Sequence, residues 1–400
     1  MRDHSIESKF VKQLDEDISA FIHRDSEDQN DERFNELALR EFELQYLTIK
    51  PYREYCKKRN LSPETISHWE QIPAIPSPEL RVFISSLPFE QAEQVCLTNG
   101  NIVPDGRQKI FRDKKAIDLI NSSNEILVKS FLFPDVEQIR ILLMLPSPKM
   151  APLMDKAIGL EKVRLKFGTS DSRFLISPIG LDIKALLRGM KESAEAGKPL
   201  ALIGVTGALI QFLNACEREG IKLYLPQGSR ICDLERRRGL FGECPKEDYF
   251  KKCKEVLGVG EDSCINVLWI CESSTIYFDN ALRNHILGKE KVRCKEIPSW
   301  ARITAVDTKD FRRLPKGEIG LLRHYDLTNH AFAVQTANLG FETREGFDVI
   351  GLWNKKMGGI DIDHSAGHPG GKIVSRALVY LMRHKLSKIG KIYSGLRGAI

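Results

Sequence analysis

Three short apolar runs constrain this chain most: Ile141-Leu142-Leu143-Met144-Leu145, Leu200-Ala201-Leu202-Ile203-Gly204-Val205 and Ile265-Asn266-Val267-Leu268-Trp269-Ile270. A strand with one wet face alternates apolar and polar residues. A run that is apolar almost throughout must be covered on both faces, as in the parallel sheet of an α/β fold. After the second run Thr206 is the expected cap of a helix through Glu219, which Gly220 stops. Ile221-Lys222-Leu223-Tyr224-Leu225 is then the expected next strand. Such a strand–helix–strand unit implies a right-handed parallel crossover. Lys254 to Leu257 closes a further helix ahead of the third run.

The flanks read differently. Phe10, Leu14, Ile18, Phe21 and Ile22 recur at helical spacing, and a second helix is expected from Phe34 to Leu47. Pro51 interrupts that pattern, and Tyr52 to Arg59 can form a short helix. Three prolines within Ile72–Pro78 make that stretch an extended connector. Beyond Pro298 short strands are expected at Arg302–Val306, Gly320–Tyr325, Phe332–Thr336 and Phe347–Gly351. A glycine-rich stretch, Met357 to Gly371, leads to a closing helix from about Val374 to Ser387. No internal repeat is visible.

Composition excludes several classes. A chain of 400 residues with 42% hydrophobic content can bury a large core. The excess of 60 basic over 54 acidic residues, +6, tolerates an anionic ligand but is too diffuse to argue for nucleic acid. No apolar run approaches the roughly 18 residues of a membrane span. The N-terminus lacks a signal-peptide pattern, so a cytoplasmic protein is expected. Nine cysteines, an odd number with no two-residue gaps among the five from Cys232 to Cys271, read as thiols rather than a zinc site.

The chemistry is expected where the third apolar run empties into Cys271, Glu272, Ser273 and Ser274. Ligands of open parallel sheets collect beyond the carboxyl ends of the strands. A glutamate there can hold magnesium against phosphate, and small hydroxyls can bond phosphate oxygens. The alternative is a solvated loop that happens to contain Glu272.

Downstream lie Leu314-Pro315-Lys316-Gly317-Glu318-Ile319-Gly320, Thr336-Ala337-Asn338-Leu339-Gly340 and Gly346-Phe347-Asp348-Val349-Ile350-Gly351. This succession resembles the adenylate-forming superfamily, whose nucleotide motif is followed by a Gly-Glu-x-Gly turn, a ribose-binding element and a hinge. Upstream, Gln45-Tyr46, Pro51-Tyr52-Arg53-Glu54-Tyr55-Cys56, Ile72-Pro73-Ala74-Ile75-Pro76 and Pro226-Gln227-Gly228-Ser229 look like acyl-protein synthetases of the bacterial bioluminescence type. The resemblance covers roughly residues 40 to 352. It implies a helical N-terminal segment (1–70), an adenylate-forming-like α/β domain (71–352) and a short C-terminal extension (353–400). It also implies ATP and Mg2+ as cofactors and Glu272 as the residue near magnesium and the α-phosphate. Asn338 stands at the ribose position, with Cys271 and Ser273 beside Glu272. Thr98, Asn99 and Gly100 fall where a phosphate loop is expected.

The chain departs from the pattern at several places. Cys271 replaces a threonine, Asn338 an aspartate and Trp269 a glycine, which would crowd the adenine side. Leu352 and Trp353 occupy the place of the hinge arginine, and Asp233 to Gly239 replaces a glycine–lysine stretch. No cysteine follows Cys294, so the acyl-accepting cysteine of the family has no counterpart. The expected function is ATP-dependent activation of a carboxylic acid, fatty acids foremost, as an acyl-adenylate. Transfer would follow to the thiol of an acyl carrier, a reductase partner or coenzyme A. The rival reading is a non-catalytic relative that binds a partner. Asp361-Ile362-Asp363-His364 with His368 can be read as a metal loop or a mobile one, and Arg236-Arg237-Arg238 as an anion grip or a solvated face. The basic residues from Arg383 to Arg397 suit an amphipathic closing helix, the alternative being a membrane or acidic-protein contact.

Overall fold

The computed structural model describes residues 4–24, 30–77, 80, 93–97, 109–234, 244–329, 331–354, 359–361 and 384–397. In chain order its strands are β1 (Ile75–Pro76), β2 (Gln94–Leu97), β3 (Lys109–Arg112), β4 (Arg140–Pro146), β5 (Arg173–Ser177), β6 (Gly180–Leu181), β7 (Leu200–Gly204) and β8 (Arg230–Asp233). They continue with β9 (Cys264–Leu268), β10 (Tyr277–Phe278), β11 (Lys295–Glu296), β12 (Ala301–Val306), β13 (Gly320–Asp326), β14 (Ala333–Glu342), β15 (Gly346–Asn354) and β16 (Gly359–Asp361). One sheet has the order β10-β9-β8-β7-β4-β5-β6. Its five central strands are parallel, and the short edge strands β6 and β10 run antiparallel. The second sheet, β11-β15-β14-β13-β12, is antiparallel, with β16 on β15 and β1 added parallel to β14. A hairpin, β2–β3, stands apart.

The apolar runs are strands because each of their faces meets a different core. Ile141, Leu143 and Leu145 of β4, with Ala201 and Ile203 of β7, point into a core shared with the second sheet and the N-terminal helices. Leu142 and Met144, with Leu200 and Leu202, point the other way, under the helices Ile183–Glu195, Thr206–Arg218 and Lys246–Leu257. Two-sided burial therefore removes the alternation that a half-wet strand would show. The N-terminal helices are His4–Ile22, Asp31–Thr48 and Lys50–Lys57, the last admitting Pro51 in its first turn, where no N–H is needed.

Two local expectations are corrected. Ile221–Leu225 is not a strand of the sheet. The Leu223 and Leu225 N–H groups donate to Val256 and Leu257 carbonyls at the end of the helix Lys246–Leu257 (2.7 and 2.8 Å). The position beside β7 goes to β8, in register Ala201↔Arg230. A central position needs burial on both faces. Tyr224 is 56% exposed, whereas all four residues of β8 are buried. Arg230 tolerates this because Asp135 takes its guanidinium in two bonds of 2.7 and 3.0 Å. Thr206 does not cap its helix. Its hydroxyl donates to Asp233 Oδ2 across the strand ends (3.1 Å), and Val205 is the capping position.

The nine cysteines are all buried and none is disulfide-bonded. Among the described residues no helix is long and apolar enough to cross a membrane, and no three metal-binding side chains cluster. The basic tail contributes a helix, Ile389–Arg397, whose Ile389 is fully buried in the second core beside Leu386. Arg236 to Arg238, the loop from Ile362 to His368 and most of the expected helix from Val374 lie outside the described residues.

Candidate functional site

β9 ends at Leu268, and the chain then makes a buried turn through Glu272 before returning as β10. Side chains from distant elements fix this turn. Asp326, at the end of β13, accepts the Ser273 hydroxyl (3.0 Å) and the Thr275 N–H (2.9 Å) on one oxygen. Its other oxygen accepts the Thr328 N–H and hydroxyl (2.9 and 2.7 Å). The Asn329 amide donates to the Glu272 carbonyl (2.9 Å), and its oxygen accepts the Ser274 hydroxyl (3.0 Å). From the helix Lys114–Leu127, Asn124 donates to the Ser274 carbonyl and accepts the Ile276 N–H (2.9 and 3.0 Å). A turn without a ladder must satisfy its backbone this way when buried, and the result is a stiff mount for the Glu272 side chain.

Glu272 is partly buried. Burial raises its carboxyl above the ordinary range, and the charge of Asp155 adds to this. The Ser77 hydroxyl, which donates to Oε1 at 3.3 Å, and Lys156 pull partly back. Ser77 arrives through β1, which pairs Ile75↔Val334 and Pro76↔Gln335. β1 ends at Pro76, whose partner Gln335 immediately precedes Thr336. The Thr336 hydroxyl oxygen in turn accepts both the backbone and side-chain N–H of Asn338 (3.3 Å each). Ser77 thus ties Glu272 to the β1–β14 pairing, and Thr336 and Asn338 follow that pairing along β14.

A second polar group lies behind Glu272. Asp155, at the start of the helix Asp155–Phe167, accepts Arg112 Nη1–H (2.6 Å), Trp269 Nε1–H (2.7 Å) and the Cys96 thiol (3.2 Å). Burial alone would raise this carboxyl, but Arg112, Trp269 and Cys96 outweigh it and hold it below the usual carboxylate range. Cys271 is pushed well up by burial and by the charges of Asp155 and Glu272. It is therefore a protonated thiol and a poor nucleophile. Between the helices Lys114–Leu127 and Asp155–Phe167 opens a cavity of about 150 Å³ of mixed character, with Ile120, Ile158, Trp269 and Ile276 in its walls beside Arg112, Asn121, Glu125, Asp155, Lys162 and Lys166.

Of the residues expected from sequence, Glu272 is tied through Ser77 to β1, which pairs with β14 a few residues before Asn338. Ser273 gives its hydroxyl to Asp326, and Trp269 turns its indole to Asp155. Thr98, Asn99 and Gly100 follow β2 directly and lie outside the described residues, but Cys96 at the base of that hairpin contacts Asp155. Ser77, Asp155, Arg112, Asp326 and Asn329 were not legible as site residues. Ser77 sits in a proline-rich connector with no motif of its own, and the others carry no recognisable spacing.

The parallel sheet joined through one core to an antiparallel one is a fold this chain shares with solved CoA ligases. 2-Hydroxyisobutyryl-CoA ligase in complex with 2-HIB-AMP and CoA is similar over 83% of this chain and 70% of its own, with a TM-score of 0.59 and 12% identity. An open conformation of that ligase gives a TM-score of 0.57 at 11% identity, over 80% and 70%. No curated protein matches the sequence. The family described as acyl-protein synthetase, LuxE, matches residues 12–348, and the chain belongs to it.

Proposed function

We propose that the protein activates a carboxylic acid with ATP as an acyl-adenylate and passes the acyl group to a thiol. The acid's carboxylate oxygen attacks the α-phosphorus, the bond to the bridging oxygen breaks, and pyrophosphate leaves. A thiolate then attacks the acyl carbonyl and AMP leaves. This chemistry needs positioning and charge neutralisation more than a protein nucleophile, which suits a site whose described thiols, Cys96 and Cys271, are both buried and pushed up by burial. The single observation that carries the reading is Glu272, a desolvated carboxylate on a turn braced by Asp326, Asn329 and Asn124 at the carboxyl end of a parallel strand.

In this reading Glu272 holds Mg2+. A lone carboxylate fits, because magnesium takes one or two carboxylates plus phosphate oxygens and keeps its waters. When bound, the ion neutralises phosphate charge. Ser77 orients Glu272 by hydrogen bonding. Asn338, steadied by Thr336, offers its amide to the ribose, and Thr98, Asn99 and Gly100 offer donors to phosphate. The hydrocarbon part of the acid lodges in the cavity beside Trp269. The division into 1–70, 71–352 and 353–400, a cytoplasmic setting and an acceptor on a carrier, a reductase partner or coenzyme A belong to the same proposal.

The test is acid-dependent ATP–pyrophosphate exchange over a panel of carboxylic acids, fatty acids included. Glu272→Gln keeps size and removes charge, so exchange falls by roughly two orders of magnitude, about 3 kcal/mol, while the melting temperature holds. Equal exchange in both proteins refutes the role of Glu272. No exchange by the wild type with any acid supports the non-catalytic relative instead.

A further inference from the structure

Gly317, in the Gly-Glu-x-Gly turn, has a φ of +90° and donates its N–H to the Glu342 carbonyl at the end of β14 (2.8 Å). Its neighbour Lys316 thereby joins the wall of a second cleft, about 660 Å³ in volume. Among the described residues, Ser77, Asp155, Glu272 and Asn338 do not line it. Six basic and five acidic described side chains do. Most are paired: Arg283 with Glu296 (2.7 Å), Arg302 with Asp31 (2.6 Å), and Arg313 with Glu70 and with Glu342 (3.2 Å). Among the described residues, the exposed Lys291, Lys316 and Arg344 make no ion pair, against one unpaired acid, Glu345. The uncommitted charge of the cleft is therefore positive. Arg302 is the buried member, its side chain 10% exposed and its guanidinium 4.1 Å over the Phe34 ring. Its Nη1 is fixed on the Ser299 and Ala301 carbonyls (2.9 and 2.7 Å). Its Nη2 meets Asp31, whose side chain is 75% exposed. Another part of the wall, Ser130 and Phe131, belongs to a π turn closed by the Phe133 N–H on the Val128 carbonyl (3.0 Å), a form frequent at functional sites.

We propose that this cleft is a binding site for a small organic phosphate carrying two or more negative charges, with Arg302 in its floor and Lys291, Lys316 and Arg344 around it. Asp31 stands where one phosphate group sits. It occupies the first turn of the helix Asp31–Thr48, where the helix end favours an anion. A guanidinium fork takes phosphate oxygens as it takes a carboxylate. A desolvated guanidinium whose partner carboxylate lies largely in water can exchange that partner for a ligand. The three unpaired cations then hold the remaining charge. The volume exceeds that of a lone phosphate and falls within the roughly 300–1,000 Å³ of small-molecule sites. The site does not depend on the adenylation reading.

Calorimetry without nucleotide tests this, with fructose 1,6-bisphosphate as the probe and fructose as the uncharged control. The wild type binds the bisphosphate saturably below about 1 mM and does not bind fructose. Lys316→Glu combined with Arg344→Glu, both at exposed positions, weakens binding by at least about tenfold with the melting temperature unchanged. Asp31→Ala frees Arg302 and tightens binding by at least about tenfold. An ion pair that only held the helix in place would instead lower the melting temperature and leave the affinity as it was. Arg302→Met weakens binding, and if it does not fold, Asp31→Ala and the exposed pair decide. Glu272→Gln binds the bisphosphate as the wild type does. No saturable binding up to about 1 mM, or an affinity indifferent to the charge reversals or to Asp31→Ala, overturns the site. Binding lost in Glu272→Gln assigns the phosphate to the Glu272 turn and overturns it equally. In each of these cases the exchange assay above still decides adenylation by itself.

Discussion

His324, on β13, is 1% exposed, and both its ring nitrogens lack a hydrogen-bond partner. Tyr277 and Phe347 flank the ring, with centroids 5.7 and 6.4 Å away. Burial lowers its pKa to about 3, so the folded protein holds it neutral. The unfolded chain, with a value near ~6.5, takes up a proton first as pH falls. Stability from this group is therefore complete above about pH 6.5 and is lost as pH drops toward 3, at up to about 1.4 kcal/mol per unit. Glu41 works in the opposite sense. Burial lifts its carboxyl to about 8, and Gln45 offsets this only in part. Its contribution is complete below the unfolded value of 4.5 and is lost as pH rises to 8. Between 4.5 and 6.5 the two slopes oppose each other. Urea melts across pH should show His324→Phe flattening the acid limb below 4.5 and Glu41→Gln flattening the limb from 6.5 to 8. Unchanged slopes in either variant would remove that residue from the account. Neither effect was legible in the sequence, because both depend on how completely packing excludes water from one side chain.

The decisive element is the turn from Glu272 to Ile276. Its strand was legible, since two-sided burial leaves a run apolar at every step. Its bracing was not, since Asp326 and Asn329 come from another sheet. Asp326→Asn removes an anionic acceptor from the Ser273 and Thr275 donors. Hydrogen bonds to a charged group are worth about 1.5–3 kcal/mol, so equilibrium denaturation should report a loss of about 2 kcal/mol. Exchange activity should fall with it as Glu272 loses its mount. Asn329→Ala breaks the bond to the Glu272 carbonyl at a partly buried site, so kcat should suffer more than stability. Full activity in both variants would mean that the turn is held by its own packing. Ile221–Leu225 shows the converse limit of sequence reading. Its period of two is that of a strand, yet such a pattern fits any extended segment with one dry face, and here that face lies against a helix end.

For the whole molecule, the expectation concerns where the acyl group goes. Residues 295–400 contain no cysteine, and the last one, Cys294, is buried just before the edge strand β11 of the second sheet. Incubation with labelled acid and ATP, followed by peptide mapping, should find no hydroxylamine-sensitive label in that segment. Label there, on Ser365 for instance, would place the acceptor in this chain rather than in a partner. Binding of ATP with Mg2+ should also raise the melting temperature, by about 2.7 kcal/mol of stabilisation at a hundredfold excess over Kd. The absence of any shift up to millimolar nucleotide would count against a nucleotide site.

The sequence by itself determined the layers of the fold and the order of its motifs. Strand and helix periods are set by which faces are dry, and that requirement is written residue by residue along the chain. Only the tertiary structure decided what Glu272 touches. Ser77 lies 195 residues before it, and Trp269 reaches Asp155 across 114 residues. Those meetings follow from the docking of β1 on β14, of two sheets on one core and of an indole on Gly159. Contacts of that kind leave no periodic trace in a chain, because each is satisfied by a single pair of positions and not by a repeating face.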